Sequence, residues 1–432
     1  MDASFGIRRW LSDALERGRF SGASGGAPSR APGGPPSGAS GRAPSGAPGG
    51  ALSGAPDDAP SGAPGDALVD APGNTPSGAS RRPFADASAR ALERMWQAWS
   101  APRVVRSLHV PDGVVTIAVG GATLGGSGKT PLAIACAEVA AAAAAESGAG
   151  KVALIGHAYR AHPRTARVVA PGDALDTVGD EALACAHIFA AQGIRADVIV
   201  APTRQRAIDF AVAQGAKVLV LDGVAQTAPR RADLALLALD LESPWGRGAC
   251  PPRGDLKAPM GALRAACDTM VMVAPDPARC RGAICSAVGP PHSVDSVESR
   301  HGNRPDLRPG DLVPFEQLAR MKVGLVTALA RPERIVRFLQ AHGVFPRTAI
   351  HASDHGPVSA RTLTLAAEAH RIEVWVATYK CAIHLRNPAS IPVCVLEHHV
   401  ALPPSLRHEL HAALLAGARA HMDDPARRVV RR

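Results

Sequence analysis

A chain of 432 residues that is 46% hydrophobic carries enough apolar material for two or three packed domains, yet nowhere strings together the roughly 18 apolar residues of a membrane-spanning helix. The formal charge of +10 and pI near 9.6 call for an anionic partner, but aromatics are only 3% and no basic stretch is interleaved with Tyr or Phe. Single-strand nucleic acid is therefore not the expected partner, whereas a phosphorylated substrate or an acidic membrane surface is. The eight cysteines show neither C-x-x-C spacing nor a close Cys/His cluster, which fits reduced cytoplasmic thiols rather than zinc or a disulfide framework.

At the N-terminus, residues 1–20 predict an amphipathic helix with Ile7, Trp10, Leu11 and Ala14 on one face. Asp13 and Glu16 interrupt any signal-peptide core, so neither secretion nor spanning is expected. Residues 21–82 are an octad repeat: Ser-Gly-Ala-Pro or Ser-Gly-Ala-Ser starts at Ser21, Ser37, Ser45, Ser53, Ser61 and Ser77. With Leu52, Leu68 and Val69 as its only large apolar residues, it lacks the surface to offset its ordering entropy and is predicted to be disordered. A second Trp-bearing stripe follows, Leu92, Met95, Trp96 and Trp99. Such stripes with neighbouring arginines either lie in a bilayer interface or pack on the globular domain; periodicity alone does not choose.

From Val114 onward, apolar strands alternate with helices. Strands are predicted at Val114–Val119, Val152–Ile155, Ala196–Val200, Val218–Leu221, Leu234–Leu239 and Thr269–Val273, with helices near Leu132–Ala145, Asp180–Gln192 and Arg204–Gln214. This pattern predicts an α/β fold with a doubly wound, mainly parallel sheet over 83–275, whose ligand sits at the carboxyl ends of the strands. Residues 276–320 read as a connector. Over 321–432 a second, smaller α/β domain is expected, with strands Val323–Thr327, Thr348–His351, Val374–Ala377 and Val393–Leu396 and a last helix near Pro404–His421.

The segment Thr123-Leu-Gly125-Gly126-Ser127-Gly128-Lys129-Thr130-Pro131 lies between the first of those strands and an Ala-rich helix, the context that a phosphate loop requires. Its glycines let several N–H groups converge on one anion, and the helix N-terminus adds partial positive charge. Lys129 is placed for the β and γ phosphates of ATP and Thr130 for Mg²⁺, although Thr123 stands where the general pattern has glycine. Asp222 ends an apolar strand and is either a Mg²⁺ carboxylate or a turn aspartate before Gly223.

Several segments together resemble the tetraacyldisaccharide 4'-kinase (lipid A 4'-kinase) family of Gram-negative bacteria. They are the phosphate loop with its Thr123, Val178-Gly-Asp-Glu181, Trp245-Gly-Arg-Gly248 with Gly254, Leu256, Lys257 and Pro259, Ala330-Arg-Pro-Glu-Arg334, Ser353-Asp-His355 and Thr378-Tyr-Lys380. The matches run in order from about Val114 to Leu385, with the octad repeat outside them. Three family motifs are altered. D-D-G-x-Q appears as Leu221-Asp222-Gly223-Val-Ala-Gln226, S-R-G-Y-G as Gly156-His157-Ala158-Tyr159-Arg160, and the glutamate of T-E-K is Tyr379.

The resemblance implies a P-loop kinase using ATP with Mg²⁺, acting on a membrane-embedded acylated glucosamine disaccharide 1-phosphate. It would work at the inner face of the bacterial inner membrane as a peripheral cytoplasmic protein, with no obligate protein partner. It implies Asp180 as the base for the acceptor hydroxyl, assisted by His355; read from the residues alone, Asp180 is rather a helix N-cap with Glu181 in the first turn, and His355 a solvated partner of His351. Two further readings remain at this stage: a divergent nucleotide- or lipid-binding homologue without catalysis, and another cytosolic P-loop NTPase.

Overall fold

The computed structural model describes residues 83–148, 150–158, 161–276, 278–285, 307–308, 310–329, 331–352, 358–385, 391–397 and 399–422. The N-terminal segment, the octad repeat, Trp10, Tyr159, Arg160 and His355 lie outside them.

The strands of the first unit are β1 (Val105–Ser107), β2 (Val115–Gly121), β3 (Lys151–Ile155), β4 (Arg167–Val168), β5 (Ala196–Val200), β6 (Ala216–Asp222), β7 (Gln226–Ala228), β8 (Leu234–Asp240) and β9 (Thr269–Val273). Seven of them form one sheet in the order β4-β5-β3-β6-β2-β8-β9, parallel throughout except for the edge strand β4. The middle strands β2 and β8 are buried along their whole length, as expected of strands covered by helices on both faces. β1 and β7 make a separate small parallel pair.

The Ala-rich helix Lys129–Ser147 leaves β2 through Gly128 at φ 81° and stops at Gly148 at φ 65°, whose N–H closes on the Ala144 carbonyl. A left-handed glycine is the low-strain way to end a helix. Small side chains at Ala133, Ala137, Ala140 and Ala144 let the helix sit close to the sheet while its outer side receives Leu406, Leu410 and Leu414. Those leucines come from the last helix, Pro404–Met422, so the end of the chain returns to cover the first sheet.

The second unit has strands β10 (Gly282–Cys285), β11 (Leu312–Pro314), β12 (Val323–Thr327), β13 (Thr348–His351), β14 (Val374–Ala377) and β15 (Val393–Leu396). They pair in the order β11-β10-β15-β14-β12-β13, with the four later strands parallel and β10 and β11 antiparallel at one side. β10 and β11 fall in the stretch read from the sequence as a connector. They are too short and too interrupted by Gly and Pro to announce themselves by alternation, and they form by pairing across the sheet.

Candidate active site

The phosphate loop hangs between the ends of β2 and β8. Thr123 pairs with Leu256 as an isolated bridge and Leu124 N–H donates to the Asp255 carbonyl, so the loop is tied to the 250–259 segment. The Thr123 hydroxyl, buried, donates to the Gly125 carbonyl at 2.7 Å and so braces the loop from inside. Gly126 and Gly128 both have positive φ, and a Cβ on Gly121 would stand 2.2 Å from the Ser127 hydroxyl. The tight curl thus needs glycine at these places.

Parallel register brings the metal-ligand candidates together. Val119 of β2 is paired with Asp222 at the end of β6, which sets that carboxylate beside the first turn of the Lys129 helix. The Thr130 hydroxyl donates to Asp222 Oδ2 at 2.8 Å, while Oδ1 is buried and accepts no hydrogen bond from any described residue. A buried carboxylate oxygen left unpaired is costly unless a cation or water meets it. Thr130 and Asp222 therefore fit a hard divalent cation, in donor type and in the one atom left to satisfy.

Around this pair the charges are crowded. Lys129 Nζ lies 3.3 Å from Glu181 Oε1 and 3.2 Å from the Thr130 hydroxyl. Against the desolvation that burial imposes on it, Asp222 and Glu181 hold the ammonium above its ordinary pKa; Glu181 in turn is held well below the carboxylate range by Lys129, Lys380 and His157 despite its own burial. Arg204 donates to the Asp222 carbonyl at 2.6 Å and Lys257 Nζ to the Gly223 carbonyl at 3.2 Å. Burial, then Lys129 and Arg204, push Lys257 down to about 7, and burial with Arg204 pushes His157 down to about 4. Lys129, Arg204, Lys257 and Lys380 gathered around Asp222 and Glu181 leave cations in excess, as suits a polyphosphate site.

Asp180 opens the helix Asp180–Gln192, with Gly179 before it at φ 85°. It is 3% exposed and stands at the first helical position, its Oδ1 accepting the Glu181 N–H at 2.8 Å; the N-cap expected of it is Gly179 instead, with no side-chain cap. Its Oδ2 lies 3.2 Å from His384 Nε2 and 4.0 Å from Lys380 Nζ. Both belong to the turn after β14, in the second unit. His355, expected beside Asp180, lies outside the described residues. His384 carried no sequence signal: it is a single histidine six residues past Thr378, with no motif or spacing to mark it.

The second unit also reaches the phosphate loop. Arg334 donates to the Gly126 carbonyl at 2.8 Å and pairs with Asp240, while Arg331 binds Asp255 at 3.0 Å and Asp240 at 3.4 Å. Arg331 and Arg334, singled out by resemblance alone, lie against the loop. The helix Pro83–Ser100 is anchored by Glu93, which accepts from Cys250 N–H and Arg253, and by Trp96, whose indole donates to the Lys257 carbonyl at 3.2 Å. Leu92 and Met95 on the same helix remain exposed.

A glycine loop between a parallel strand and a helix, a lysine and a threonine at the helix start, and a strand-end aspartate define a P-loop phosphotransferase. The family model of tetraacyldisaccharide-1-P 4'-kinase matches residues 86–415, and the chain belongs to that family. The tetraacyldisaccharide 4'-kinase of Acidithiobacillus ferrooxidans is 32% identical over 313 residues, covering 70% of this chain and 85% of that protein. Its counterpart in Dichelobacter nodosus is 30% identical over 269 residues, 61% of this chain and 73% of that protein. Among solved structures, the "apo" form of LpxK from Aquifex aeolicus in complex with ATP is similar at TM-score 0.49 and 16% identity, over 76% of this chain and 99% of that one.

Proposed function

We infer that the chain transfers the γ-phosphoryl group of ATP to the 4'-hydroxyl of a tetraacylated glucosamine disaccharide 1-phosphate, the lipid A precursor. The observation that carries this reading is the convergence, in a chain of this family, of Lys129, Thr130 and Asp222 with the buried Asp180 at the end of one sheet. Residues 83–275 hold the nucleotide in this reading, and residues 321–432 close the acceptor side.

Phosphoryl transfer asks the protein for positioning and charge neutralisation rather than covalent chemistry. The loop N–H groups of 125–130 hold the phosphate oxygens, and Lys129 leaves Glu181 to neutralise the charge that develops between β and γ. Thr130 and Asp222 would hold Mg²⁺, which supplies Lewis-acid neutralisation of the phosphate oxygens when bound. Asp180 accepts the proton of the acceptor hydroxyl. Its second oxygen is in contact with the imidazole of His384.

The acylated acceptor lies in a membrane, and no helix among the described residues is long and apolar enough to cross one. Leu92 and Met95, exposed on the Pro83–Ser100 helix, suit peripheral contact with the inner face of the inner membrane, and the formal charge of +10 suits anionic lipid. The test is direct: purified protein, disaccharide 1-phosphate, ATP and Mg²⁺ in detergent give the 4'-phosphorylated product. ATP-dependent turnover without that product would point to a different acceptor, and nucleotide binding without any turnover to a non-catalytic homologue.

A further inference from the structure

We propose that His384 is the positioning residue of Asp180, fixing the carboxylate from the second unit and tuning the pH at which it becomes a base. The inference rests on the assignment of Asp180 as that base. Asp180 Oδ1 is taken by the Glu181 N–H at 2.8 Å, so the rotation of the carboxylate is set by whatever meets Oδ2. His384 Nε2 meets it at 3.2 Å, with the two side chains 8% and 3% exposed. Few water molecules compete for so buried a pair, and geometry rather than bulk screening governs it.

The histidine is held firmly enough to do this. It follows the short helix Tyr379–Ala382, in which Cys381 and Ala382 are buried in the core of the second unit together with Leu385. Ile383 between them packs against the core of the first unit. Cys381 Sγ is itself gripped twice, by the Ala328 N–H and the Thr378 hydroxyl, both at 3.1 Å. The turn is thus wedged between two cores with His384 at its cleft side, and a shift of either unit would move the imidazole against Asp180.

Among the described residues, the charged and titratable groups around Asp180 are Glu181 and Cys185 on its own helix, Lys380 and His384 on the turn and, beyond Glu181, Lys129 and His157. Of these, His384 makes the hydrogen-bond contact to Oδ2, the oxygen that the Glu181 N–H does not take. A donor to the ionised form favours it, so removing the donor makes Asp180 harder to ionise and moves the acid limb of kcat to higher pH.

The experiment compares His384→Ala, His384→Gln and Asp180→Asn in the full chain with ATP, Mg²⁺ and disaccharide 1-phosphate in detergent. The expected result for His384→Ala is a loss of kcat of about ten- to a hundredfold, a KM for ATP within about twofold of the parent, and an acid limb moved up by roughly one pH unit. His384→Gln, which keeps an N–H donor, recovers part of kcat and part of the shift. An inactive Asp180→Asn beside a His384→Ala with unchanged kcat and unmoved acid limb overturns the role of His384 alone. Near-normal turnover in Asp180→Asn overturns the base assignment and the positioning role with it. Thermal unfolding midpoints separate these outcomes from misfolding: if His384→Ala fails to fold, His384→Gln decides, because it must show the smaller shift in the same direction.

Discussion

The two ends of the cleft are built differently. At the phosphate end Lys129, Thr130 and Asp222 come from one unit and from neighbouring strands: β2 delivers the loop, β6 delivers Asp222, and their register brings Thr130 within 2.8 Å of it. The acceptor end is assembled from two units, with Asp180 on a helix of the first and His384 and Lys380 on a turn of the second, some 200 residues later. Arg331 and Arg334 of the second unit brace the phosphate end, on Asp240, Asp255 and the Gly126 carbonyl. A local site tolerates looseness between units, whereas a shared site is only as good as their fit.

The largest test of this contrast is at the local end. Lys129→Ala removes the cation that neutralises the transferring phosphoryl group, and turnover should fall by about a hundred- to a thousandfold while the fold survives, with a lower unfolding midpoint because Glu181 loses its ion pair with Lys129. Steady-state kinetics with calorimetry checks this; near-normal turnover would end the phosphate-loop assignment. Asp222→Asn should leave the fold intact but weaken the dependence of rate on Mg²⁺, read as a rise in the Mg²⁺ concentration for half-maximal activity.

Next in size is the joint. Arg331→Ala strips two contacts from Asp255 and Asp240, the latter 6% exposed, and should cost about 1–3 kcal/mol of stability. If the acceptor end is shared as argued, kcat falls along with stability, while ATP affinity measured by titration changes less. Equal loss at both ends would remove the contrast.

Lys257 offers a smaller, pH-dependent effect at the local end. Burial and its cationic neighbours lower its pKa from 10.5 to about 7, so between those values the unfolded chain binds the extra proton and stability rises with pH. The penalty is in full force below pH 7. Lys257→Met should therefore raise the unfolding midpoint relative to the parent at pH 6, and the gain should shrink as pH approaches 10. It should also weaken ATP binding, since a cation facing the phosphate end is lost. A midpoint difference that does not vary with pH would show that Lys257 is charged throughout.

Smallest of all should be deletion of residues 21–80. A segment whose only large apolar residues are Leu52, Leu68 and Val69 has little to pack on either end of the cleft, so turnover in detergent should be nearly unchanged. A large loss would mean that the repeat engages the enzyme.

How much of this was readable beforehand differed by region in the same way. Strands such as Val374–Ala377 and Val393–Leu396 were legible because a buried parallel strand is a short unbroken apolar run between turn residues. Lys129 and Thr130 were legible because the phosphate loop is one contiguous peptide whose chemistry depends on local backbone curl. Asp222 was legible as a strand-end acid, but that it meets Thr130 depends on the register of two strands a hundred residues apart.

By itself, then, the sequence determined the alternation of strands and helices, the nucleotide loop and the family resemblance, because each rests on short-range pattern. Tertiary structure alone decided that His384 meets Asp180, that Arg331 and Arg334 lie against the loop, and that the last helix returns to cover the first sheet. It also decided that β10 and β11 are strands at all. Contacts of this kind arise when two separately folded surfaces fit, and a lone histidine or a short edge strand carries no periodicity by which its distant partner could be foreseen.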